Sequence, residues 1–205
     1  MNEPPLIAVL DYGIGNLRSA EKALQRVGGD AALTADVTEI ENADAVVLPG
    51  VGHFGRCMRA LRASGLEGPA WDAVRAGKPF MGICIGMQML YESSDEDPSA
   101  SGMGILPGKV RLLPEGVKRP QMQWNQLNIG DDSPMFAGLD KPLWMYFVHS
   151  FAPATTEHVV ATCDYGGPVV ASVERSNLWA TQFHPEKSGA NGLRLLSNFV
   201  ARCAR

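Results

Sequence analysis

The segment of this chain best suited to chemistry is Gly82-Ile83-Cys84-Ile85-Gly86, a cysteine with a glycine two positions away on either side. The apolar run Pro79-Phe80-Met81 precedes it, and Met87-Gln88-Met89-Leu90-Tyr91, which reads as helix, follows. A small-x-nucleophile-x-small turn between strand and helix is a nucleophile elbow, in which the glycines allow a sharp bend and leave room around a lifted side chain. A thiol at a helix start feels the positive end of the helix dipole, which favours thiolate, but a helix end supplies only ~0.3–2 kcal/mol. A base must do the rest.

Of the four histidines, His184 stands out within Gln182-Phe183-His184-Pro185-Glu186, which follows the strand candidate Leu178–Thr181. Pro185 biases His184 towards extended backbone. In extended chain, positions i and i+2 share a face, so Glu186 can hold the imidazole. Cys84, His184 and Glu186 then form a nucleophile–base–acid set. Acyl transfer also needs donors for a developing oxyanion: the amide of Ile85 directly after the nucleophile, and the glycine-rich turn Pro49-Gly50-Val51-Gly52.

The elements needed to position these groups are legible as alternating strand and helix in the first half. Leu6–Leu10, Ala43–Leu48 and Phe80–Ile83 read as buried strands. Leu17, Ala20, Leu24 and Val27 recur at helical spacing, as do Met58, Leu61 and Leu66, with a short helix over Trp71–Ala76. That alternation predicts a parallel sheet with helices on both faces. The second half reads as short strands at Val110–Leu113, Leu127–Ile129, Leu143–Val148, Val159–Cys163, Val169–Val173 and Leu178–Phe183, with antiparallel pairing, and a closing helix over Gly192–Arg202. Ser93–Gly102 is the most loop-like stretch. No linker or repeat divides the chain, so one α/β domain over residues 1–205 is expected.

Composition excludes several classes. With 205 residues, 45% hydrophobic, 20% charged and a net charge of −4, the chain suits a globular protein and lacks a nucleic-acid surface. No apolar run approaches the ~18–20 residues of a membrane span. The start, Met1-Asn2-Glu3-Pro4-Pro5, is unlike a signal peptide, so a cytoplasmic location is expected. Cys57, Cys163 and Cys203 are too scattered for a zinc cluster or disulfide framework and should behave as small core or surface residues. Gly13-Ile14-Gly15 imitates a dinucleotide fingerprint, but Arg18 stands where the third glycine belongs. No cofactor or metal is expected.

Together, Pro49-Gly50-Val51-Gly52, the Cys84 elbow and His184-Pro185-Glu186 resemble the class I (triad) glutamine amidotransferases. That resemblance implies a three-layer flavodoxin-like fold, with a mainly parallel central sheet and antiparallel additions from the second half. Asp11–Ser19, Val51–Phe54, Tyr146–Phe151 and His184–Ser188 resemble more narrowly the glutaminase subunits that serve histidine biosynthesis. The resemblance implies that Cys84 attacks the glutamine side-chain amide, that Val51 and Ile85 form the oxyanion hole, and that Gly52, Gln88, Ser150 and Phe151 hold the substrate. It further implies ammonia transfer to a separate (β/α)₈-barrel cyclase that makes imidazole glycerol phosphate and aminoimidazole carboxamide ribotide, with Asn16, Arg18, Trp124, Asn125, Tyr146 and Lys187 at the interface. Such glutaminases are close to silent alone, which the resemblance links to the orientation of the Val51 peptide. Gln121 and Gln123 depart from the family's usual His and Gly. A glutaminase for another synthase and a stand-alone cysteine hydrolase remain open alternatives.

Overall fold

Five parallel strands carry the chemistry at their carboxyl ends. A computed structural model describes residues 3–130, 133–155 and 157–203, so Met1 and Asn2 of the N-terminal reading lie outside it. The first half runs β1 (Leu6–Leu10), α1 (Leu17–Arg26), β2 (Asp30–Thr34), α2 (Val37–Asn42), β3 (Ala45–Gly50), α3 (Phe54–Ala63), α4 (Glu67–Arg75), β4 (Phe80–Cys84) and α5 (Ile85–Met89). The second half contributes β5 (Ser93–Ser94), β6 (Lys109–Leu112), β7 (Gln121–Ile129), β8 (Trp144–His149), β9 (Phe151–Ala154), β10 (Val159–Asp164), β11 (Pro168–Arg175), β12 (Leu178–Thr181) and α6 (Gly189–Cys203).

The main sheet has nine strands in the order β2-β1-β3-β4-β12-β11-β10-β7-β8. Pairing is parallel from β2 through β12 and antiparallel beyond it. The mainly parallel half with antiparallel additions is therefore as anticipated, with one refinement: β12, from late in the chain, completes the parallel block. A small sheet, β5-β6-β9, packs separately. β3 and β4 are buried at every position, the pattern of strands covered by helices on both faces.

Several expectations are corrected. β2 and α2 escaped the sequence reading because they expose much of their length; α2 buries only Ile40. β7 spans nine residues rather than Leu127–Ile129 alone, since most of its side chains face outward. β9 was likewise unforeseen, and β12 stops at Thr181 rather than Phe183. The elbow helix is Ile85–Met89, starting two residues earlier than the Met87–Tyr91 run implied and directly after the cysteine. Five residues make a weak dipole, so the individual N–H groups at its start matter more than its length.

Cys57, Cys163 and Cys203 are free and all three lie in the core. Among the described residues, no helix is long and apolar enough to cross a membrane.

Candidate active site

Three neighbouring parallel strands deliver the groups singled out in the sequence. Gly50, at the end of β3, lies in register with Cys84 at the end of β4, and Thr181 at the end of β12 lies opposite Ile83. Cys84 has φ 55° and ψ −110°, outside the usual regions for a side-chain-bearing residue, which is the strained turn of an elbow. Glycine is required around it. A Cβ on Gly86 would sit 1.8 Å from the Leu48 carbonyl oxygen, and one on Gly50 would meet Tyr12 Oη at 2.8 Å and the Gly86 nitrogen at 2.9 Å.

His184 and Glu186 reach the same pocket from the turn after β12. His184 is extended, as the proline predicts, but Pro185–Lys187 forms a 3₁₀ turn, so Glu186 does not continue an extended segment. The turn nevertheless brings His184 Nδ1 within 2.7 Å of Glu186 Oε1, with both side chains almost fully buried. The Ser188 hydroxyl donates to the His184 carbonyl at 2.7 Å and accepts from the Tyr146 N–H at 3.0 Å, while the His184 N–H donates to the Tyr146 carbonyl. Gly192 lets α6 approach this turn; a Cβ there would lie 1.9 Å from the Pro185 oxygen.

Burial alone would strip the proton from His184. The Cys84 sulfur beside the ring and the hydrogen-bonded Glu186 carboxylate outweigh it and raise the imidazole above its ordinary value. Nε2 makes no aligned hydrogen bond among the described residues.

The cavity in front of Cys84 holds about 410 Å³ and is lined by Asn16, Val51, Gly52, Ile85, Gln88, Glu96, Ser150, Phe151, His184 and Lys187, among others. That is the scale of a small-molecule pocket. The oxyanion candidate segment is held from both sides. Tyr12 Oη donates to the Pro49 carbonyl at 2.7 Å, and Cys57 Sγ to the Val51 carbonyl at 3.4 Å.

The carbonyls of Ser150 and Phe151 are both engaged within the chain. The Phe151 carbonyl already accepts from Gln88 Nε2 at 2.9 Å and His149 Nδ1 at 2.8 Å, occupying both lone pairs. The Ser150 carbonyl accepts from the Leu113 N–H. The free acceptors facing the cavity are side chains instead: Gln88 Oε1 and His149 Nε2 are buried without partners among the described residues. Glu96 joins them. Its Oε2 accepts from the Phe54 N–H at 2.6 Å, tying the loop to the start of α3, and the residue lines the cavity. Sequence reading missed Glu96, because it sits in the stretch most like a loop, and His149.

His149 is held neutral by its surroundings. Burial, assisted by the charge on His184, lowers its imidazole from 6.5 to about 4 despite the bond to Phe151. Between those values the unfolded chain takes up a proton that the folded chain refuses. Acidification from pH 6.5 to about 4 should therefore cost up to about 3 kcal/mol of stability through this residue, and none above pH 6.5. Urea unfolding of the natural chain and His149→Gln across this range checks it: the gap between them changes only on the acid side.

The remaining positions divide. His53 is exposed at the start of α3 and lies outside the cavity lining. Arg18 is exposed, and Trp124 is 47% exposed with its ring 6.0 Å from that of Tyr146. Asn125 is bound internally, its Nδ2 donating to the Asp164 carbonyl at 2.9 Å. Gln121 is fully buried opposite His149, with Nε2 on Cys163 Sγ at 3.8 Å, whereas Gln123 is exposed. Met122 and Trp144, not anticipated, are also exposed on the face of β7 and β8 that carries Trp124 and Tyr146.

Comparison with known proteins adds a lineage to this geometry. The profile of the family described as "Glutamine amidotransferase class-I" matches residues 8–203. The chain is 46% identical over 199 residues to a Deinococcus radiodurans protein named "Imidazole glycerol phosphate synthase subunit HisH", covering 95% of this chain and 93% of that one. It is 47% identical over 196 residues to the protein of the same name from Methanothermobacter thermautotrophicus, covering 95% and 98%. Among solved structures, PurLQS from Thermotoga maritima superposes with a TM-score of 0.77 at 21% identity, covering 97% of this chain and 99% of that one, a likeness of fold.

Proposed function

This chain belongs to the class-I glutamine amidotransferase family, and from that membership we propose that it hydrolyses glutamine and passes the ammonia to a separate cyclase subunit in histidine biosynthesis. The observation that carries the reading is the meeting of a strained cysteine, a buried histidine–glutamate pair and unpartnered acceptors around one small cavity. The subunit name borne by relatives at 46% and 47% identity supports the biosynthetic setting.

Cys84 Sγ attacks the side-chain carbonyl carbon of glutamine and its proton passes to His184. The oxyanion is met by the N–H groups of Ile85 and Val51. Collapse expels ammonia with a proton from His184, leaving a glutamyl thioester. His184 then takes a proton from water, whose oxygen attacks the thioester, and glutamate leaves as the thiol is restored. Glu186 keeps the ring oriented and stabilises its charged form. Glu96 and Gln88 Oε1 suit the substrate's α-ammonium, while Gly52, Ser150 and Phe151 can offer backbone N–H groups to its carboxylate.

Ammonia in neutral water is mostly protonated and unreactive, so the acceptor enzyme must sit over this cavity. The exposed Met122, Trp124 and Trp144 with half-buried Tyr146 beside them, and Asn16, Arg18 and Lys187 nearby in sequence or at the cavity, suit a protein partner. A (β/α)₈-barrel cyclase is that partner. If the Val51 N–H is turned to the oxyanion only in the complex, glutamine hydrolysis should rise by ~10²–10³ on adding the cyclase with its ligand. Measuring glutamate release from the chain alone, with the cyclase, and with cyclase plus ligand checks this. Equal rates in all three would leave a stand-alone hydrolase as the better reading.

A further inference from the structure

We propose that Gln182 is a further catalytic residue, a side-chain amide that donates to the Cys84 sulfur and favours its thiolate. Gln182 has no exposed surface and lies just past β12, beside the elbow. Its Nε2 is 3.7 Å from Cys84 Sγ. The amide has no freedom to turn round. Gln182 Oε1 accepts from Gln88 Nε2 at 3.0 Å, and the second N–H of Gln88 is spent on the Phe151 carbonyl at 2.9 Å. Gln88 can only donate through this nitrogen, so Gln182 must accept on one side and present its N–H groups on the other. A line of buried amides therefore runs from the Phe151 carbonyl through Gln88 and Gln182 to the nucleophile.

A purely structural glutamine is an expensive choice here. Its neighbours Ala180, Thr181 and Phe183 are buried, and an apolar side chain would avoid desolvating an amide. A neutral thiol is a weak acceptor, whereas a thiolate rewards an N–H donor with a charge-assisted bond. The donor therefore discriminates between the two states of the sulfur. It also moderates the thiolate, because nucleophilicity falls as the anion is stabilised, with a Brønsted coefficient of about 0.4–0.5. Removing the donor should slow reaction where thiolate is scarce and spare or raise the rate where thiolate is complete.

The other titratable groups around this sulfur are His184 after β12, Glu186 in the following turn, His149 on β8, Tyr12 after β1, and Cys57 on α3 with Glu96 beside it. All are retained in the variants below, so a displaced pH profile reports the amide. The proposal rests on Cys84 being the nucleophile of the proposed function. The assay reads the sulfur directly and needs no glutamine turnover, so failure of the hydrolysis and failure of the amide donor are separate results.

The experiment measures iodoacetamide alkylation of Cys84, resolved from the other cysteines by peptide mass, from about pH 5 to about pH 9 in the natural chain, Gln182→Met and Gln182→Glu. Gln182→Met should move the acid limb up by about one pH unit, a roughly tenfold slower alkylation at a given pH on that limb, with the alkaline plateau kept or raised. Gln182→Glu keeps the acceptor for Gln88 and turns an oxygen to the sulfur, so its limb should move further; it also serves if the methionine variant fails to fold. Profiles that overlay the natural chain would overturn the proposal. So would an equal loss of rate at every pH accompanied by a lower melting temperature, which is the mark of a scaffold residue.

Discussion

Glutamine hydrolysis by Cys84→Ala is expected to fall by about 10⁴-fold or more, while synthesis from added ammonium salts by the same complex continues. The split follows from where the sulfur sits. Cys84 is the thiol opposite His184, and Cys57 is not placed to replace it. Cys57, near Tyr12, has its thiol raised to about 11, chiefly by burial, and turned to the Val51 carbonyl. Removing one sulfur atom from a buried side chain leaves the elbow, the Glu186–His184 pair and the exposed β7–β8 strip in place. Binding to the cyclase should survive with the ammonia-dependent reaction. Parallel assays with glutamine and with ammonium chloride provide the check, and loss of both activities together would defeat the channelled-ammonia scheme.

Glu186→Gln should lower kcat by about 10³ with a much smaller effect on KM. The substitution conserves volume, so packing against the Pro185 turn is retained. Its chemistry fails in either orientation. With the amide nitrogen towards Nδ1, the ring must carry its proton on Nε2 and can no longer accept from the thiol. With the amide oxygen towards Nδ1, the tautomer is right but the charge that stabilises the imidazolium is gone. The nitrogen then occupies the position of Glu186 Oε2, which has no partner among the described residues. Steady-state kinetics in the activated complex distinguish this from a folding defect, which would reduce active enzyme without a kcat-specific signature.

Much of this site was legible because its chemistry depends on glycine and proline, whose backbone effects are local. Gly82 and Gly86 announce the elbow, and Pro185 fixes the extended backbone of His184. The parallel block was legible because β1, β3 and β4 are almost wholly apolar. What escaped depends on contacts between distant segments. Glu96 acquires meaning only when its loop folds against the start of α3. His149 becomes neutral only when burial and His184 act on it, and Gln182 meets Cys84 across 98 residues. Helix α2 and most of β7 were hidden for the opposite reason: their surfaces face water, so neither shows a strong apolar period.

The turn that presents His184 has a second consequence. β8 is the last strand of the nine-stranded sheet, and an outer strand with vacant hydrogen-bonding groups invites another molecule to zip onto it. Here the Tyr146 N–H is taken by Ser188 and its carbonyl by His184, while Asn191 Nδ2 donates to the Trp144 carbonyl at 3.3 Å. The segment that completes the reactive crevice thus also closes this margin against intermolecular strand pairing. Colloidal behaviour and turnover are thereby placed under the same few residues, so loosening this turn exposes an adhesive border as well as disarming the enzyme.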